Sequence, residues 1–209
     1  MDGGVPQAAG PVASEMMKMP PNPTCQIALK EWATVLLAME RGEQLVMIRK
    51  GGLIEPGSGF EWAARQFVFY PTFEHQAVKF LREPSQRFFE EATARRAPEG
   101  HVRFDLYGDV VDAFSSADPT LLKRLEPFHI YHDTFLDQRL KWQPQQPLVL
   151  AVIRVFRLPA PQTIPVIDRY AGCKSWVELE RPLALDGAQP VLDDATFHER
   201  IQTLRSILI

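Results

Sequence analysis

Apolar positions in "IALKEWATVLLAMERGEQ" fall at Ile27, Leu29, Trp32, Val35, Leu36 and Met39, near a helical period, and "RGEQ" supplies a glycine stop. This predicts one helix packed by a single face. "LVMIRK" and "RQFVFYP" are short, apolar and β-branched or aromatic, so they read as two strands paired as a hairpin around the glycine-rich loop between them. "TFEHQAVKFL" returns to a helical period, while the charged "EPSQRFFEEATARRAPEG" predicts an exposed helix or connection. "HVRFDLYGDVVDAF" alternates and then shifts phase at Gly108, the pattern of a long strand with a bulge.

In the second half, Asp118 and Pro119 start a short helix as N-cap and first-turn proline. "LVLAVIRVFRL" is the most strand-like run and is expected at the centre of the sheet, "CKSWVEL" is the last strand, and "DDATFHERIQTLRSILI" is a capped terminal helix. Residues 1–24 are rich in Gly, Pro and Ala without amphipathic period, which predicts a disordered tail ahead of a single domain over 25–209. Strands and helices do not alternate as a doubly wound sheet requires. The expected class is α+β, with a mostly antiparallel, barrel-like sheet and surrounding helices.

At 209 residues and 45% hydrophobic the chain is long enough to bury a core. A formal net charge of −3 excludes binding of nucleic acid through bulk positive charge, so any such contact needs a local patch. Two cysteines, Cys25 and Cys173, support neither a disulfide framework nor a thiolate zinc site. With no secretory leader and no apolar run of roughly 18 residues, a cytoplasmic, non-membrane protein is expected. Oligomeric state is not legible, and no cofactor is implied.

Six groups offer chemistry. Arg49, Lys50, Gly51, Gly52 and Glu55 combine cations with glycines that let backbone N–H groups approach a ligand, which reads either as an anion site or as a hairpin with solvated charges. Glu74 and His75 stand at the start of a predicted helix and suit acid or base work. His129, His132 and Asp133 lack a firm third metal ligand, so His129 reads as a buried, hydrogen-bonded residue or one facing His75, and Asp133 as a helix cap. Arg139, Lys141, Trp142, Arg154 and Arg157 form a basic and aromatic set, in which Arg154 is expected to face away from the core or to meet a carboxylate such as Glu31 or Glu55. Trp32, Trp62, Trp142 and Trp176 are core residues or stacking platforms. Cys173 in "GCKSW" reads as a buried thiol or a nucleophile.

"ALKEWA", "RKGGLIE", "FVFYPTFEHQ", "PFHIYHD", "LVLAVIRVFRLPAP" and "GCKSWVEL" together resemble the prokaryotic domain-of-unknown-function family 1802. Some members of that family are joined to restriction-endonuclease-like domains, which implies a setting of nucleic acid or defence. The order of "AMERGEQ", "RKGG", "DLYGDVVDAF" and "PLVLAVIRVFRLPAP" is also similar to the ASCH and EVE branches of the PUA-like barrels, whose cleft binds RNA or modified bases. That resemblance implies a cleft lined by Lys30, Arg49, Lys50 and Glu55.

Three functions follow as expectations. The first is recognition of nucleic acid, a nucleotide or a modified base, with Lys30, Arg49, Lys50, Gly51, Gly52, Arg139 and Arg154 at phosphate and Trp142 or Trp32 stacking. The second is a hydrolase, nuclease or amidohydrolase, with His75 and His129 as acid and base and Glu55 or Glu74 orienting them. The third is a protein-interaction module using the tail and the terminal helix.

Overall fold

The structure, a computed structural model, describes residues 22–50, 64–172 and 174–208. Residues 1–21 of the expected tail, the glycine loop with Glu55 and Trp62, and Cys173 lie outside the described residues, and the last residue assigned to the tail, Thr24, already begins a strand.

The first segment departs from its expected single helix. Thr24–Trp32 is a strand, β1, and the helix α1 begins only at Ala33 and runs to Glu40. Neighbouring residues Ala28 and Leu29 are both fully buried and belong to two different apolar clusters, one on each side of β1. A strand covered on both faces shows no polar alternation, so its apolar positions imitate a helical stripe. The glycine stop is real: Gly42 takes φ +72°, and its N–H bonds the Met39 carbonyl at 3.0 Å.

β2 (Val46–Arg49) and β3 (Gln66–Thr72) do not form the expected hairpin. β2 pairs with β5 (Leu148–Pro165), while β3 lies between β1, in parallel, and β4 (His101–Ser116), antiparallel. The helix expected over "TFEHQAVKFL" is absent apart from one 3-10 turn at Val78–Phe80. Thr72 Oγ1 donates to the Glu31 carbonyl at 3.1 Å, and Gln76 Oε1 accepts from Thr34 Oγ1 at 3.0 Å. These bonds hold the segment against β1 and α1. Helix α2 (Arg87–Ala94) follows, with Phe88 and Ala92 as its buried stripe.

β4 carries register shifts at Phe104/Leu106 and Val110/Asp112, which flank Gly108 rather than fall on it. Gly108 answers to packing: a Cβ there would lie 2.7 Å from Ile153 and 2.9 Å from Phe69. Helix α3 (Pro119–Arg124) starts as expected, with Asp118 accepting from Thr120 N at 2.8 Å. Helix α4 (Asp133–Lys141) is capped by His132, whose Nδ1 accepts from Thr134 N at 3.2 Å, and not by Asp133, which is the first helical residue.

The strands complete with β6 (Trp176–Ala184) and the two-residue β7 (Gln189–Pro190), and helix α5 (Asp194–Leu208) closes the described chain. The sheet has seven strands in the order β2-β5-β4-β3-β1-β6, with β7 paired to β5. It is mostly antiparallel, as the α+β reading requires, but open: no ladder joins β2 to β6 among the described residues. β5 has three strand partners yet lies beside the edge and not at the centre of that order. Among the described residues no helix is long and apolar enough to cross a membrane.

Candidate functional site

A cavity of about 450 Å³ lies where α1, α2 and the ends of β3 and β4 meet the Tyr170–Gly172 segment. Leu36, Leu37, Phe69 and Leu106 give it an apolar floor, and Tyr70 and Phe73 add aromatic walls. Four cations, Lys30, Arg95, Arg96 and Arg103, line it together with three carboxylates, Glu40, Glu74 and Asp105.

Most of these charges are already engaged. Lys30 Nζ donates to the carbonyls of Tyr70's partner wall, Tyr170 at 2.5 Å and Gly172 at 3.0 Å, and lies 5.4 Å from the centre of the Tyr70 ring. Arg95 is held between Glu40 at 2.6 Å and Glu91 at 2.8 Å, and Arg103 forks onto Asp105 with contacts of 2.7 and 3.0 Å. Arg96 differs. Its guanidinium lies 4.2 Å from the centre of the Phe73 ring, and it has no salt-bridge partner among the described residues. Glu74 is exposed and likewise has no hydrogen-bond or ion-pair partner among them. Burial holds the Tyr70 hydroxyl above its ordinary range. His101, also on the lining, contacts the Glu99 carbonyl through Nδ1 at 3.1 Å.

Of the residues singled out from the sequence, Lys30 and Glu74 line this cavity. Arg49 turns into the protein instead: its guanidinium donates to the Lys30 carbonyl at 2.8 Å, Glu31 Oε2 at 3.0 Å and Ser175 Oγ at 3.1 Å. Lys50 is buried and donates to the Leu140 carbonyl at 3.4 Å, at the C-terminal end of α4. Arg154 meets a carboxylate, but it is Asp194, at 2.6 Å, and it lies over Phe197; Glu31 pairs with Arg49 instead, and Glu55 lies outside the described residues.

His75, exposed at φ +64°, is not on the lining. His129 is fully buried: its Nδ1 accepts from Tyr131 N at 3.2 Å and its Nε2 lies 3.4 Å from the Leu122 carbonyl, the pattern of a neutral ring. Burial pushes it down to about 4. No hydrogen bond or ring contact joins these two histidines. Trp32 is enclosed by Phe80, Tyr131 and Phe135, and Trp176 packs on Phe67, whereas Trp142 is half exposed outside the cavity, on the same end of α4 as Arg139.

Sequence reasoning missed Arg95, Arg96, Arg103 and His101. The doubled arginine of "ARRAPEG" was the available signal, since the Phe88 and Ala92 spacing buries one face of α2 and fixes where its C-terminal end points.

The model of the family described as Domain of unknown function (DUF1802) matches residues 28–203. No curated protein matches the chain. Among solved structures, it is similar to the crystal structure of a serine-to-alanine mutant of ZmASCH from Zymomonas mobilis, at 10% identity and a TM-score of 0.40, over 85% of this chain and 94% of that one.

Proposed function

The chain belongs to the DUF1802 family, and we propose that its cavity binds one nucleotide or modified base of a nucleic acid. The observation that carries this reading is Arg96: a guanidinium without a carboxylate partner among the described residues, stacked on Phe73, beside an apolar recess. A planar guanidinium on a ring offers its edge N–H groups to phosphate and its outer face to a base. The cavity falls within the roughly 300–1,000 Å³ of small-molecule sites, with the apolar floor and few polar groups usual for them. Lys30 adds positive charge to the same lining as Arg96, so a local patch serves where the net charge of the chain would not. A cytoplasmic setting and a single domain over 25–209 belong to this proposal.

The test is fluorescence anisotropy with labelled single-stranded RNA and DNA at two salt concentrations. Binding by the wild type is expected to weaken with salt, and Arg96→Ala to weaken it by about tenfold or more, the loss of one stacked and charged contact. Equal affinity in wild type and Arg96→Ala would remove the reading. Strand cleavage on a denaturing gel would instead bring the hydrolase forward.

A further inference from the structure

Glu74 is an exposed carboxylate on the cavity lining with no hydrogen-bond or ion-pair partner among the described residues. Arg95, Arg96 and Arg103 line the same cavity, yet Arg95 and Arg103 are committed to other carboxylates and Arg96 to the Phe73 ring. The residues around Glu74 are anchored on both sides, by Thr72 to the Glu31 carbonyl and by Gln76 to Thr34. Between those anchors His75 takes φ +64°, a left-handed conformation costly for a residue with a Cβ. The turn thus holds an exposed carboxylate on the wall of an apolar, aromatic recess, at a conformational cost that capping does not explain, because no helix starts there.

We infer that Glu74 makes the cavity selective for guanine. This rests on the reading of the cavity as a nucleotide site. A carboxylate accepts hydrogen bonds and cannot donate them, so it pairs best with two adjacent N–H donors. Guanine is the standard base whose Watson–Crick edge carries such a pair, N1–H beside the N2 amino group. Adenine and cytosine put a ring acceptor next to their amino group, and uracil flanks its N3–H with two carbonyls; each sets a lone pair against a carboxylate oxygen. Selection then comes from repulsion of the wrong base as much as from attraction of the right one. The base enters from the Phe73 side, where Arg96 meets its phosphate.

Competition measures this directly. A labelled single-stranded RNA is displaced from wild type, Glu74→Gln and Glu74→Ala by the four nucleoside 5′-monophosphates and by pentamers of adenine carrying one central guanine or none. The wild type is expected to take GMP at least about tenfold more tightly than AMP, and the guanine pentamer over the plain one, as a bidentate base contact provides. Both variants lose that preference, through weaker GMP binding and tighter AMP binding, at the wild-type melting temperature. Guanine preference in the pentamer but not in GMP would assign the ligand to a strand, and the reverse to the free nucleotide. Equal binding of all four monophosphates and both pentamers, or a guanine preference that survives in the variants, overturns the inference and leaves the nucleotide site standing. No displacement by any nucleotide or pentamer, with no binding of the labelled strand, removes the site itself.

Discussion

At the residue scale, a half-buried carboxylate and a buried histidine oppose one another. Asp109, in register with Gln66 of β3 and Arg154 of β5, is pushed up to about 6 from an ordinary 3.8, mainly by burial, with the Gln66 side chain partly offsetting it. His129 is pushed down to about 4 from 6.5, again mainly by burial. Between pH 4 and 6 the native Asp109 holds more proton than the unfolded chain does, so its contribution falls as pH rises; the native His129 holds less, so its contribution rises with pH. The two slopes largely cancel. Asp109→Asn is therefore expected to match wild type in urea midpoint near pH 4, to exceed it near pH 7, and to show a stability that climbs with pH between them. A variant no more stable than wild type near pH 7 would refute the burial of that carboxylate.

At the element scale, Arg49 compensates for a sheet that does not close. It ends the edge strand β2 and reaches the Lys30 carbonyl and Glu31 of β1, and Ser175 just ahead of the other edge strand, β6. A side chain spans the gap that a ladder would fill in a closed barrel. Glu31 is buried, so Arg49→Ala strands its charge as well as deleting the tie, at a cost on the order of 3 kcal/mol, read as a lower urea midpoint. If Arg49 held phosphate instead, the variant would lose nucleic-acid affinity at unchanged stability. This also shows why the sequence misled at this point: Arg49 and Lys50 beside a doubled glycine look solvated, and their partners Glu31, Ser175 and Leu140 lie 18, 126 and 90 residues away.

At the scale of the whole molecule, the α+β class, the capped terminal helix and the glycine stop after α1 were legible, because each rests on local pattern. Strand pairing was not. β1 lies between β3 and β6, and burial on both faces hid its strand character. The cavity followed the same rule: Glu74 was singled out from local chemistry and Lys30 through the resemblance to the ASCH and EVE domains, while Arg96 stood out only once α2 was seen packed beside Phe73, 23 residues earlier in the chain. We place function in this one recess, while Arg49, Lys50 and Arg154 make the fold-holding contacts described above.

The most direct test is an NMR titration of the ¹⁵N-labelled protein with GMP, following every assigned backbone amide. Shifts clustered on Phe73, Glu74, Arg96, His101 and Gly172, and fading in Arg96→Ala, are predicted. Shifts centred on Arg139 to Trp142 or on Arg154, with the cavity amides unmoved, would contradict the account.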